Sequence, residues 1–243
     1  MAHPIYNQNL GLIGILAQSA PQEYTDCITF TGETSDFTLS ANKDWDGTVE
    51  YSTDRTTWTT WNGTAISSSN KKLYLRGSGN TTFYTQKGAR FVLSDKAGCS
   101  GNLNTLLEYS NPPTVLSKSR CYDSMFYGCA NLTTAPELPA TMLEGERCYG
   151  SMFYGCTSLT TAPALPATTL AAYSYRHMFN GCSSFKVSST QTGTYQYEWR
   201  LPTSGTMLST GAYWSQYMLK NTGGTFTSDP SINTTYYVEN KPV

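Results

Sequence analysis

Charge is scarce in this sequence. Among 243 residues there are 16 Lys and Arg against 17 Asp and Glu, 14% in all, well below the ~25% of an average soluble domain. The formal net charge is −1, and no cluster of Lys and Arg stands anywhere along the chain. A phosphate-tracking basic stripe is therefore excluded, and nucleic-acid binding with it. No apolar run approaches the ~20 residues of a membrane-spanning helix. Histidine is almost missing, with only His3 and His177, and no Cys-x-x-Cys or Cys/His spacing suits zinc. Phosphate loops and dinucleotide fingerprints are missing as well. Ser151 follows Gly150 but lacks the GxSxG elbow and a His–Asp partner. Neither a cofactor nor a metal is expected, and the protein is expected not to be an enzyme.

With so few charges, the polar surface must be built from Ser, Thr, Asn, Gln and Gly. Neutral, Thr-rich surfaces of this kind suit all-β and repeat proteins outside the cytosol. Hydrophobic residues make up 39% of the chain, enough for a packed core, and 18 Tyr and 5 Trp add amphipathic rings that serve cores and binding surfaces alike. The length allows one large or two modest domains.

Residues 1–22 form a first region. LGLIGILA, from Leu10 to Ala17, is apolar but short, and Gly11 and Gly14 weaken it as a helix. No positive residues precede it, as a signal peptide requires, although Ala17-Gln18-Ser19-Ala20 loosely resembles a cleavage site. It reads as an anchoring arm whose residues Ile5, Tyr6, Leu10, Leu12, Ile13, Ile15 and Leu16 bury on a partner. An export signal and a plain first strand are the alternatives. Fully extended, such an arm reaches about 65 Å, far enough to lace into a neighbouring subunit.

Residues 23–95 change to period two. Ile28, Phe30, Phe37 and Leu39 alternate with Thr and Ser as half-buried strands do. Turn signals at Gly32-Glu33, Asp44-Trp45-Asp46-Gly47 and Asn62-Gly63 divide them. A small β-sandwich is expected. Asp44 and Asp46 form a DxDG fragment without the downstream bidentate Glu of a calcium loop, so they read as turn formers. Trp58 and Trp61 lie three apart on a strand and so face opposite sides. One is core, and Trp58 is a candidate sugar platform.

Residues 96–243 are organised by repetition. CYDSMFYGCANLTTAPELPATMLEGER, from Cys121, is rewritten from Cys148 as CYGSMFYGCTSLTTAPALPATTLAAY, and from Ser174 as SYRHMFNGCSSF. Met125, Met152 and Met178 fall in register, as do Cys129, Cys156 and Cys182. A fixed period in the twenties marks units that bury their apolar faces by stacking. Within a unit, YxSMFYG reads as one short helix ended by an αL glycine at Gly128, Gly155 or Gly181. LTTAP then reads as a short strand ended by Pro136 or Pro163. Leu132, Leu138 and Leu143, with their equivalents Leu159, Leu165 and Leu170, fill successive core layers. The seven Cys are an odd number, so at least one is unpaired or bridges chains. The repeat Cys read as small hydrophobes in a narrow core slot, with disulfides or a metal as the alternatives. Cys99 to Leu116 reads as a cap at the start of the stack. AYWSQYMLKNTGGTF reads as an altered last copy, with Met218 and Leu219 in place of Met178 and Phe179. Ile232 to Val238 reads as a closing strand.

MFYGCTSLTTAPALPATTLA resembles the BspA-type leucine-rich repeats in surface proteins of gut and oral anaerobes and of the phages that infect them. The likeness covers about residues 99–226. ITFTGETSDFTLS and LYLRGSG are similar to the β-domain that often precedes such repeats. The expected fold class is therefore mixed α/β, a small N-terminal β-sandwich followed by a short leucine-rich-repeat-like solenoid. The resemblance implies an adhesion or binding scaffold without catalysis.

The candidate ligand contacts are rings at recurring positions, Tyr127 and Tyr154 in one ladder and Tyr122, Tyr149 and Tyr175 in a second, with Trp58 apart from both. The function expected is a virion structural and adhesion protein, a phage fibre or capsid-surface component. It would be held to other virion proteins by its arm, assembled as a homo-oligomer with a trimer favoured, and display its repeats to a host glycan or surface protein. A bacterial cell-surface adhesin is the alternative. A glycan-processing enzyme is a third reading, with Glu137, Glu144 and Glu146 in variable parts of the repeat as its carboxylates.

Overall fold

The computed structural model describes residues 27–206 and 209–243. The arm with Ile5 to Leu16 lies outside the described residues.

Eight strands open the fold: β1 (Ile28–Gly32), β2 (Thr38–Ala41), β3 (Thr48–Ser52), β4 (Thr59–Thr60), β5 (Ile66–Ser67), β6 (Lys72–Ser78), β7 (Phe91–Leu93) and β8 (Ala97–Ser100). They make two antiparallel sheets, ordered β4-β3-β6-β1-β8 and β5-β2-β7. The alternation in the sequence is the cause. In β6, Leu73, Leu75 and Gly77 face inward, while Tyr74 and Arg76 face out, because successive side chains on a strand point to opposite faces. The sheets meet through aromatics: Phe30 of β1 and Phe91 of β7 lie 6.4 Å apart, and Trp61 meets Phe91 edge-on at 5.5 Å. At Gly77 the backbone of β6 runs against the turn Leu103–Leu106. A Cβ there would stand 2.5 Å from the Leu106 carbonyl carbon, so no larger residue fits.

Between β6 and β7 the chain leaves the sheets as a loop that reaches the first repeat. Two aspartates hold this loop. Asp46 accepts the N–H groups of Thr81 and Thr82 at 2.7 and 3.1 Å. Asp44 accepts those of Gln86 at 2.9 Å, Lys87 at 2.6 Å and Gly88, together with the Thr85 hydroxyl. Phe83 is thereby set with its ring stacked on Tyr122 at 5.8 Å and its N–H donating to the Cys121 carbonyl at 2.7 Å. The sheets and the repeats share one continuous hydrophobic core.

The repeats stack copy on copy, through turns and not through helices. Positive φ recurs every fourth residue: Arg120, Ser124 and Gly128, then Arg147, Ser151 and Gly155, then Tyr173, His177 and Gly181, then Tyr213, Tyr217 and Asn221. An α-helix cannot carry left-handed residues in its interior, since each costs roughly 1–2 kcal/mol there. The backbone amides find partners in another way. Met125 and Cys129 donate back to Tyr122 and Phe126 within one copy, closing turns whose third residue, Ser124 or Gly128, has the positive φ that type II geometry requires. The alternate amides, of Tyr122, Ser124, Phe126 and Gly128, donate across to Cys148, Gly150, Met152 and Tyr154 in the next copy. Copy two repeats the pattern onto copy three, and copy three onto residues 212–220. The expected short helix in each unit is therefore absent. Among the described residues the one helical segment is the four-residue 3-10 turn Leu103–Leu106. The fold is nearly all β, built from several antiparallel and parallel sheets, and the expected mixed α/β class with a leucine-rich-repeat solenoid is overturned.

Beyond the turns each copy contributes a two-residue strand. β9 (Val115–Leu116), β10 (Met142–Leu143), β11 (Thr169–Leu170) and β14 (Ser209–Thr210) pair in parallel, with Leu116, Leu143, Leu170 and Thr210 in register. At the far end an antiparallel sheet closes the core: β15 (Thr234–Val238) lies between β12 (Val187–Ser188) and β13 (Tyr197–Leu201). Trp199 of β13 packs edge-on against Phe179 and Phe185 at 6.0 and 5.6 Å, and its indole N–H donates to the Pro163 carbonyl at 3.0 Å. The amide of Tyr217 in the last copy donates to the Asp229 carboxylate at 2.5 Å.

The left-handed positions carry a prediction. Ser151 has φ 52° and its hydroxyl donates no described hydrogen bond. Ser151→Gly removes the Cβ strain, and urea unfolding should show a gain of about 1 kcal/mol. Ser151→Val should lose more than that. Equal stability of the two variants would contradict the turn geometry.

Candidate functional site

The repeat residues divide into an inward set and an outward set. Met125, Met152 and Met178 are fully buried, and Cys129, Cys156 and Cys182 are at most 2% exposed. The Cys156 and Cys182 thiols donate to the carbonyls of Phe126 and Phe153 in the preceding copy, at 3.0 and 2.9 Å. Burial pushes the Cys129 thiol up to about 11 and the Cys182 thiol up to about 12. Both stay protonated at neutral pH, which removes the thiolate that nucleophilic attack or metal binding needs. All seven cysteines are buried free thiols. Among the described residues no group of three His, Cys, Asp or Glu could hold a metal ion.

Tyr122, Tyr149 and Tyr175 do form a ladder, with parallel rings 5.8 and 6.0 Å apart. They are at most 1% exposed, and this corrects their reading as ligand contacts. A ring sealed between Phe83 and Trp214 meets no ligand without opening the core. Their position, two residues before the left-handed Ser124, Ser151 or His177, turns them to the same side as Met and Phe.

Tyr127 and Tyr154 are different. They stand beside the left-handed Gly128 and Gly155 and are only half-buried. Their rings are parallel within 4° at 4.7 Å. The row does not stop with them. Arg90 lies over the Tyr127 ring at 4.7 Å. His177 meets Tyr154 at 6.1 Å and Tyr217 at 5.0 Å, and Lys220 lies 5.3 Å above Tyr217. One continuous line of contacts thus runs from Arg90 across four copies to Lys220. A short parallel row flanks it: Arg176 lies 5.4 Å from Tyr173, and Tyr173 stacks on Tyr213 at 5.7 Å. Tyr213 is 61% and Tyr217 42% exposed, the largest exposures among the described aromatic side chains.

Sequence reading did not place His177 and Tyr217 in this row. In the short helix read for each unit, His177 would take the position of Ser124 and Ser151. It stands on a left-handed turn, where it takes over from the tyrosine that Asn180 replaces in the third copy. Its Nδ1 is 3.1 Å from the Asn180 amide nitrogen. Burial, with Arg176, Arg147 and Lys220 nearby, holds its pKa below the ordinary histidine value, so the ring is neutral at pH 7. The exchange of Ser for His and of Tyr for Asn between copies was the visible signal.

Trp58 belongs to another cluster. Arg76 lies 4.1 Å over its ring and 4.5 Å from the Tyr109 ring, and pairs with Glu50 at 2.7 Å. The Trp58 indole N–H donates to the Arg55 carbonyl at 3.2 Å. With one face under Arg76, this indole serves the outer surface of the first sheet, while its companion Trp61 is core. The two carboxylates of the DxDG fragment are taken up by loop amides, as described above.

No helix among the described residues is long and apolar enough to cross a membrane. Comparison with protein-family models, curated proteins and solved structures finds no match for this chain.

Proposed function

We propose that this is a non-enzymatic binding protein that offers the Tyr127–Tyr154–His177–Tyr217 row to a partner on a cell surface. The observation that carries this reading is the row itself: half-exposed and exposed rings, contributed by four copies, on a backbone cross-bonded at alternate amides. Rings fixed by their neighbours lose little freedom on binding, and tyrosine combines contact area with a hydroxyl for hydrogen bonding. The setting proposed, from the BspA-type resemblance, is the surface of a phage virion, with residues 1–22 as anchor and a trimer as the assembly. A bacterial cell-surface adhesin is the other setting.

The test uses the full chain and cell envelopes from gut and oral anaerobes. Tyr127→Ala with Tyr154→Ala should weaken envelope adsorption by about tenfold or more, with the circular dichroism spectrum unchanged. Undiminished adsorption by the double variant would sink the site. In particles, deletion of residues 1–22 should abolish incorporation, and retained incorporation would remove the virion anchor.

A further inference from the structure

We infer that the ring row takes an acidic oligosaccharide, a chain of sugars bearing carboxylates. This deepens the binding reading above and rests on it.

The first argument is the local charge. Arg90, Arg176 and Lys220 each lie on a tyrosine ring of the row or its flank. None of the three has a carboxylate partner among the described residues, whose ion pairs are Arg76–Glu50, Arg120 and Arg147 with Asp123, and Lys186–Glu239. The Arg176 Nε is buried and lacks a hydrogen-bond partner among the described residues. Asp229, the acid beside this surface, already accepts the Tyr217 amide. The chain as a whole carries a net charge of −1, so three cations on this row and its flank, set against the one carboxylate of Asp229, are a local excess of positive charge. Guanidinium and ammonium groups bind carboxylates through charge-assisted hydrogen bonds, bidentate in the case of arginine.

The second argument is how the rings stand. Tyr127 and Tyr154 cover each other's faces, Tyr173 and Tyr213 do the same, and Tyr217 lies between His177 and Lys220. A base of a single-stranded nucleic acid needs an open ring face on which to stack. Along most of this row the faces are taken, which leaves ring edges and phenol hydroxyls. Such edges suit a ligand rich in hydroxyl groups. Hydroxyls for the phenols and anions for the three cations together describe a carboxylated sugar chain.

The experiment is titration calorimetry of the full chain with oligogalacturonate, oligoalginate and polysialic acid. Carboxyl-reduced oligogalacturonate serves as the neutral control and oligo-dT as the nucleic-acid control. At least one acidic probe should bind roughly tenfold more tightly than the neutral control. Arg90→Gln with Lys220→Gln should abolish that difference, and the affinity should fall with added salt. Tyr154→Phe keeps the stack, removes one hydroxyl and should weaken the acidic probe. Equal affinity for the carboxyl-reduced sugar, tighter binding of oligo-dT, or no binding of any acidic probe overturns the inference. Under each of these outcomes, loss of envelope adsorption by the double alanine variant would leave the row's binding role standing.

Discussion

Asp44→Ala should destabilise the protein by about 4 kcal/mol, because it deprives five donors, four part-buried and one buried, of one charged acceptor. Asp44 is 7% exposed. Its carboxylate accepts the Thr85 hydroxyl and the amides of Thr85, Gln86, Lys87 and Gly88. Water replaces such an acceptor only in part, since the Gly88 donor is buried and the others are partly so. The damage reaches further than the loop, since Phe83 and the amides of Phe83 and Phe91 cover the first repeat. Asp44→Asn keeps one acceptor oxygen and should cost about half as much. Equilibrium urea unfolding measures both, and a loss below 1 kcal/mol for the alanine variant would refute the assigned role.

The same group makes stability depend on pH in a definite direction. Burial pushes the Asp44 carboxyl upward. The Thr85 hydroxyl and the Gln86, Lys87 and Gly88 amides outweigh it and hold the pKa below the ordinary carboxylate range. The folded state therefore binds this proton less readily than the unfolded state. Its contribution is complete above the unfolded value of about 3.9 and is lost as pH falls through the depressed folded value. Asp44→Asn should remove this part of the acid sensitivity.

Phe153→Ala is the second large effect, about 4 kcal/mol. Phe153 is fully buried in mid-column, parallel to Phe126 at 5.6 Å and to Phe179 at 5.5 Å. Truncation removes the transfer free energy of one ring and both of its stacking contacts. The hole cannot collapse readily, since the backbones on either side are held apart by the amide bonds between copies. Phe153→Leu should cost less than half as much. Because each copy packs chiefly on its neighbours, Phe153→Ala should also broaden the unfolding transition. An unchanged midpoint would show that the column contributes nothing.

The stacking register was legible because Met, Cys and Gly recur together, and the Met and Cys side chains do line one core. The helix reading failed for an identifiable reason. Adjacent Met and Phe followed by Gly look like a short helix with a left-handed stop, and the glycine is indeed left-handed. The sequence gives no comparable sign at Ser124, Ser151, Tyr173 or Tyr217, where non-glycine residues adopt positive φ. Those positions are imposed by the amide bonds between copies, which no local window contains. The cap on the first copy was illegible for the same reason. Cys99 to Leu116 supplies β9 and the 3-10 turn, but Phe83 reaches Cys121 from 38 residues away (121 − 83). In the candidate site, period alone placed Tyr127 beside Tyr154. It also suggested Tyr122, Tyr149 and Tyr175, because a repeat tells which residues align and not which way they face.

The amide bonds in the turn block all run one way, from each copy to the one after it. The array is therefore polar, like a magnet with unlike poles: bare carbonyls at its head and bare amides at its tail. Two chains could splice only head to tail, and such splicing would build filaments without limit. Phe83 and Phe91 close the head with amides, and Asp229 answers the tail with a carboxylate. Each pole thus carries a plug of opposite character, and the array is terminated within a single chain.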